Sequence, residues 1–135
     1  MRCVRIVGCA AALVIVLAGS VLAHHSAAGI DRSKLVTLVG TVREFGWTNP
    51  HSWMEVDVPN PAGGTVTWKV EMTSPAYLVR AGWKSTTLKP GDKVSVQVRP
   101  LANGDPGGLF VSVTLPSGQV LGERAVLPAP APAAP

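Results

Sequence analysis

Four runs of this chain place an apolar residue at every second position, and glycine, proline or asparagine bounds them. A period of two is the repeat of a strand with one buried face, and it excludes the period of about 3.6 that an amphipathic helix needs. In SWMEVDV (52–58), Met54, Val56 and Val58 share one face, with Trp53, Glu55 and Asp57 on the other. In TVTWKVEM (65–72), Val66, Trp68, Val70 and Met72 point inward, with Lys69 and Glu71 outward. The turn sequence NPAGG (60–64) joins these two runs into a hairpin. Val94, Val96 and Val98 form the inward face of a third run, after the Pro-Gly turn in LKPGDKVSVQVRP. In the fourth, LFVSVTL after GDPGG (104–108), Leu109, Val111, Val113 and Leu115 share a face.

Ahead of them lies LVTLVGTVREF (35–45), β-branched and long for a strand, with Gly40 inside it. That glycine predicts a bulge or a sharp bend. Only SPAYLVRAGW (74–83) breaks the alternation: Ser74 suits a cap, Pro75 the first helical position and Gly82 the stop. It predicts a helix of about two turns. PSGQVLGE supplies a last turn and a short edge strand. Three strands, a short helix and two more strands, with a glycine-bent first strand, resemble the OB-fold. This is a mainly β, five-stranded barrel with one helix between strands three and four. The rival is an open β-sandwich, which uses about seven strands where five or six are legible here.

The ends have a different character. Residues 1–23 open with Arg2 and Arg5 and continue as IVGCAAALVIVLAGSVLA, the make-up of a secretory signal peptide. Val21 and Ala23 fit the positions before the cut, which then falls ahead of His24. Removing 23 of 135 residues leaves 112, enough for one small domain. The mature chain then divides into an N-terminal segment (24–34), an OB-like barrel (35–122) and a Pro/Ala-rich tail (123–135) suited to a disordered spacer. Its expected location is periplasmic or secreted. Cys3 and Cys9 both leave with the signal, so no disulfide, thiolate metal site or cysteine nucleophile remains. Of 12 Lys+Arg, Arg2 and Arg5 leave too, and the remaining ten against eight acidic residues give a mature net charge of +2. No basic run survives, so a nucleic-acid partner is not expected, nor a membrane once the signal is removed.

No nucleophile elbow, P-loop or dinucleotide fingerprint is present, the acidic residues are scattered, and nothing supports an enzyme. The histidines carry more information. His24 and His25 would begin the mature chain, and His51 follows Asn49-Pro50 in a turn. Cleavage before His24 would set a free α-amine beside its own imidazole, and an α-amine of pKa about 7.7–8.0 yields its proton to a metal near neutral pH. His24, His25 and His51 together form a nitrogen-rich set best matched to copper, with nickel and zinc behind. Met72 is a soft donor too, but its inward phase makes it core. Against this stands a plain solvated terminus and a turn histidine bonded only to backbone. The second reading is metal-free: Trp47, Asn49 and Trp53 flank the same turn and would bind a glycan, a peptide or a periplasmic partner protein by stacking.

These segments resemble a family of small exported bacterial proteins of unknown function. The carriers are HHS (24–26), VGTV (39–42), NPH (49–51), WKVEMTSP (68–75) and GWKSTTLKPGDKVSV (82–96). The resemblance spans nearly all of the mature chain and implies the same fold, but no activity. The cleavage expectation is checked by the intact mass of the exported protein, which should begin at His24. A start at any other residue takes the α-amine out of the proposed ligand set.

Overall fold

A computed structural model describes residues 29–124; His24, His25, the signal segment and most of the Pro/Ala-rich tail lie outside the described residues. Six strands and one helix follow in order: β1 Val36–Gly46, β2 Trp53–Pro59, β3 Thr65–Glu71, α1 Pro75–Arg80, β4 Lys93–Pro100, β5 Gly107–Thr114 and β6 Val120–Gly122. Along the sheet they run β3-β2-β1-β4-β5-β6, and a parallel β3–β5 pairing closes the first five into a barrel. This is the OB topology, with the helix between β3 and β4 as expected.

Strand β1 makes closure possible by belonging to both halves. Its first part, Val36–Thr41, pairs with β4, and its second part, Thr41–Gly46, pairs with β2. Gly40 sits where one partner gives way to the other. A Cβ there would lie 2.4 Å from the Asp57 carbonyl oxygen and 2.9 Å from Val56 Cγ1, so β2 can cross this close only over a glycine. The register shift comes slightly later, between Val42 and Glu44, and leaves Arg43 as the extra residue of a bulge. Bend and bulge are thus two adjacent devices.

The barrel interior is apolar. Leu38, Val42, Met54, Val56, Val70 and Val96 are all buried, as is Met72, in keeping with its inward phase. In β5 the expected face is corrected. Val113 points inward, but Phe110 takes the other core position, while Leu109 and Val111 are only partly buried. Val98 pairs with Phe110 and Gln97 with Ser112, so Val111 is looped out of register and the inward phase switches across it. Strict alternation cannot survive an inserted residue.

Helix α1 covers one end of the barrel through buried Leu78. Ser74 holds the N-cap position, but its side chain makes no capping hydrogen bond, which corrects that part of the expectation. The helix stops in a paired motif: the Gly82 amide donates to the Val79 carbonyl and the Trp83 amide to that of Leu78, with Gly82 at φ 91°. Trp83 then enters the core, and its indole N–H donates to the Gly122 carbonyl at 2.9 Å. Phe45 lies 6.0 Å from Trp83, and Phe110 lies 5.4 Å from it on the other side, an edge-to-face stack. Gly29–Asp31 run beside β4's end: Ile30 bridges Leu101, and the Ala102 amide donates to the Gly29 carbonyl at 2.7 Å.

Replacing Gly40 by alanine should cost about 1–3 kcal/mol, the usual penalty for forcing extra volume into packed structure. Urea unfolding measures it. A variant as stable as the parent would mean that β2 can back away from β1 without loss.

Candidate functional site

Thr48–His51 forms the turn between β1 and β2, and the Thr48 hydroxyl closes it by donating to the His51 carbonyl at 3.0 Å. The residues that follow are locked in place: the Ser52 amide donates to the Thr73 carbonyl at 3.1 Å, and the Met72 amide to the Ser52 carbonyl at 2.8 Å. The β2–β3 ladder therefore extends past the strand ends and carries His51 to a fixed position over β3. There the exposed His51 ring is hydrogen-bonded through Nδ1 to Glu71 Oε1. A carboxylate can only accept, so Nδ1 is the donor and Nε2 of the neutral ring keeps its lone pair.

A second carboxyl group completes this corner. Glu123 Oε1 accepts the Thr73 amide at 3.0 Å, which anchors the chain after β6 to the end of β3. Burial pushes the Glu123 carboxyl above its ordinary value, and the like charge of Glu71 adds to this; the Thr73 amide, Arg124 and His51 pull the other way. Ser52, alongside, is fully buried, and its hydroxyl has no hydrogen-bond partner among the described residues.

Only part of the expected site lies within the described residues. His24 and His25 lie outside the described residues, so only His51 of the metal set is placed. Among the described residues no three His, Cys, Asp or Glu side chains cluster as a metal would need. Of the expected ligand-binding group, Asn49 is exposed, while Trp47 packs against the core and stacks edge-on against Phe45 at 5.8 Å. Trp53 is partly exposed and lies across Gly46; a Cβ on that glycine would fall 2.2 Å from the indole. Glu71 and Glu123 were not among the expected site residues. Glu71 is 20 positions from His51, and the outward phase of β3 was its only trace in the sequence.

Trp53 and Glu71 also line a groove of about 740 Å³ that runs along the β3–β5 seam and includes Ile30, Lys69 and Leu109. The outer face of β2 and β3 beside it carries Glu55 and Asp57, with Arg43 4.0 Å from the first and 3.7 Å from the second. Lys69 is 3.7 Å from Glu55.

Closed strand order, bent first strand and helix-covered end define a small OB-type barrel module. The model for a family of unknown function (DUF6152) matches residues 11–111, and the chain belongs to that family. A solved structure similar to it is that of the mitochondrial single-stranded DNA-binding protein Rim1 from S. cerevisiae. The two share 13% identity over 62% of this chain and 94% of that one, with a TM-score of 0.45. No curated protein matches the chain.

The Glu123 shift has a directional consequence. A carboxyl group whose pKa is raised by folding destabilises the fold when ionised, and the cost fades as pH falls through the raised value. Glu123→Gln keeps an oxygen for the Thr73 amide and removes the charge. Thermal melts should therefore show the variant more stable than the parent at about pH 7.5 and level with it at about pH 4. A variant less stable at the higher pH would show that the charge itself holds this corner.

Proposed function

We propose that this protein is an exported OB-type module that binds a transition-metal ion, with copper best matched, through His51 and the mature N-terminal His24 and His25. The observation that carries the reading is the His51–Glu71 pair. Histidines that ligate metals commonly donate their second ring nitrogen to a carboxylate, which fixes the ring and raises its basicity. Here Glu71 takes that role toward Nδ1 and leaves Nε2 as the donor on the exposed side of the ring.

The course of the N-terminal segment supports the same reading. Ile30, tied to Leu101, lines the groove that Glu71 also lines. Four residues lie between His25 and Ile30, a span of at most about 18 Å of extended chain. In the metal reading, that length of chain is what would let the mature histidines reach His51. An α-amine and three imidazoles are all nitrogen donors, which suits Cu(II) over Zn(II) on ligand type and affinity order. When bound, the ion would supply Lewis acidity or redox chemistry. The chain's own part is to hold His51 in orientation and to present the amine. A periplasmic or secreted role in metal storage, delivery or sensing follows from the export signal.

Titration of the mature protein with Cu(II) should give submicromolar affinity with nitrogen-dominated electron paramagnetic resonance. His51→Ala and an extra residue ahead of His24 should each weaken binding at least about tenfold, the size of losing one good ligand. Glu71→Gln should weaken it less and alter the pH dependence of binding. Affinity weaker than micromolar, or indifference to both changes, removes the metal reading. It leaves a metal-free module using the Trp47–Trp53 turn.

A further inference from the structure

We propose that the groove along the β3–β5 seam binds an extended basic peptide segment, a site separate from the metal ligands. Two glycines of β5, Gly107 and Gly108, lie in its lining. A Cβ on Gly107 would lie 2.9 Å from Leu101 Cδ1, and one on Gly108 would lie 2.3 Å from the Arg99 carbonyl oxygen. At Gly108 the β4 backbone leaves no room for a side chain and at Gly107 the Leu101 side chain would have to shift, so among β5's groove residues only Leu109 presents a side chain. Its volume, about 740 Å³, falls within the range of sites that enclose a ligand.

Its walls select the occupant. Trp53, Leu101 and Leu109 give apolar surface, whereas Glu55, Glu71 and Asp105 bring three carboxylates against the single cation of Lys69. That lysine is 3.7 Å from Glu55, which Arg43 also approaches at 4.0 Å, so the uncommitted negative charge of the groove is that of Glu71 and Asp105. The groove is net acidic on a chain whose overall charge is +4. Phosphate or sulfate groups meet repulsion there, and a neutral sugar leaves the excess carboxylates unpaired. Lysine or arginine side chains match the carboxylates, and intervening apolar side chains fit the Trp53 and Leu101 walls. The form of the ligand follows from the seam. Lys69–Glu71 lie beside Gly107–Leu109, three residues on each strand, so a straight groove of about 10 Å takes about three residues of extended chain, with one more overhanging at each end.

The test uses amide chemical shifts of the isotope-labelled mature protein in a chelator, so that its outcome is independent of any metal at His51. The probes are a capped leucine-arginine-valine-arginine-leucine peptide and its counterpart with glutamate for arginine. The basic peptide should shift the Lys69, Gly107, Gly108 and Leu109 amides, and the acidic one should not. Glu55→Gln with Asp105→Asn, still showing native dispersion, should weaken binding about fivefold, in line with two solvent-accessible ion pairs. Lys69→Ala should strengthen it. Equal response to both peptides, no response, stronger binding in the double variant, or shifts of these amides by chitohexaose alone would each overturn the proposal.

Discussion

The approach of β2 across Gly40 is the constraint on which the rest of this barrel depends. A strand that serves two partners must turn between them, and it can turn only where nothing projects from its backbone. Because β1 bends there, β4 lies along its first half and β2 along its second. The sheet then curls far enough for β3 and β5 to meet as neighbours. Glycine recurs there: a Cβ on Gly107 would lie 3.2 Å from the Lys69 carbonyl of β3, and one on Gly108 2.3 Å from the Arg99 carbonyl of β4. Three small residues on two strands thus convert a flat meander into a closed wall, and with no cysteine after Cys9 the closure must be held by packing and backbone pairing.

Electrostatics on the outside follow from the same geometry. Closure puts the outward residues of β2 and β3 on a convex face where Arg43 and Lys69 sit among Glu55 and Asp57. Exposed pairs of this kind contribute little to stability. Their effect is on what may approach: the cations are already matched, and the uncommitted charge near the seam is negative. At the barrel end the arrangement differs, since Glu71 and Glu123 flank the start of the loop after β3 and His51 faces them from the turn opposite.

Much of this was legible in the residues and some of it could not be. The alternation in 52–58, 65–72 and 93–98 gave the inward faces correctly because those strands run without interruption. It failed at Leu109 and Val111, because an inserted residue shifts the phase and leaves no mark in composition. Gly40 announced a bend, but not that the bulge would fall at Arg43. His51 stood out by rarity, whereas its partner Glu71 looked like any outward carboxylate on a strand. Trp47 stood out as a stacking surface beside the turn, but its edge-on contact with Phe45 depends on how the strand end folds back and left no trace in the sequence. Pairings across 20 or 50 positions are products of topology. Local pattern carries no record of them.

The sixth strand adds a consequence for how the chain comes together. β5 has two edges. One is filled by β4, and the other is shared: Gly107–Leu109 goes to β3 and Ser112–Thr114 to β6. The barrel can close without β6, yet until Val120–Gly122 arrives three residues of that edge stay open and the Trp83 indole lacks its carbonyl partner. β6 follows the other described strands in the chain, so a chain cut short before Val120 would carry an unprotected strand edge. Such an edge is a template for another chain, and the short β6 is what covers it.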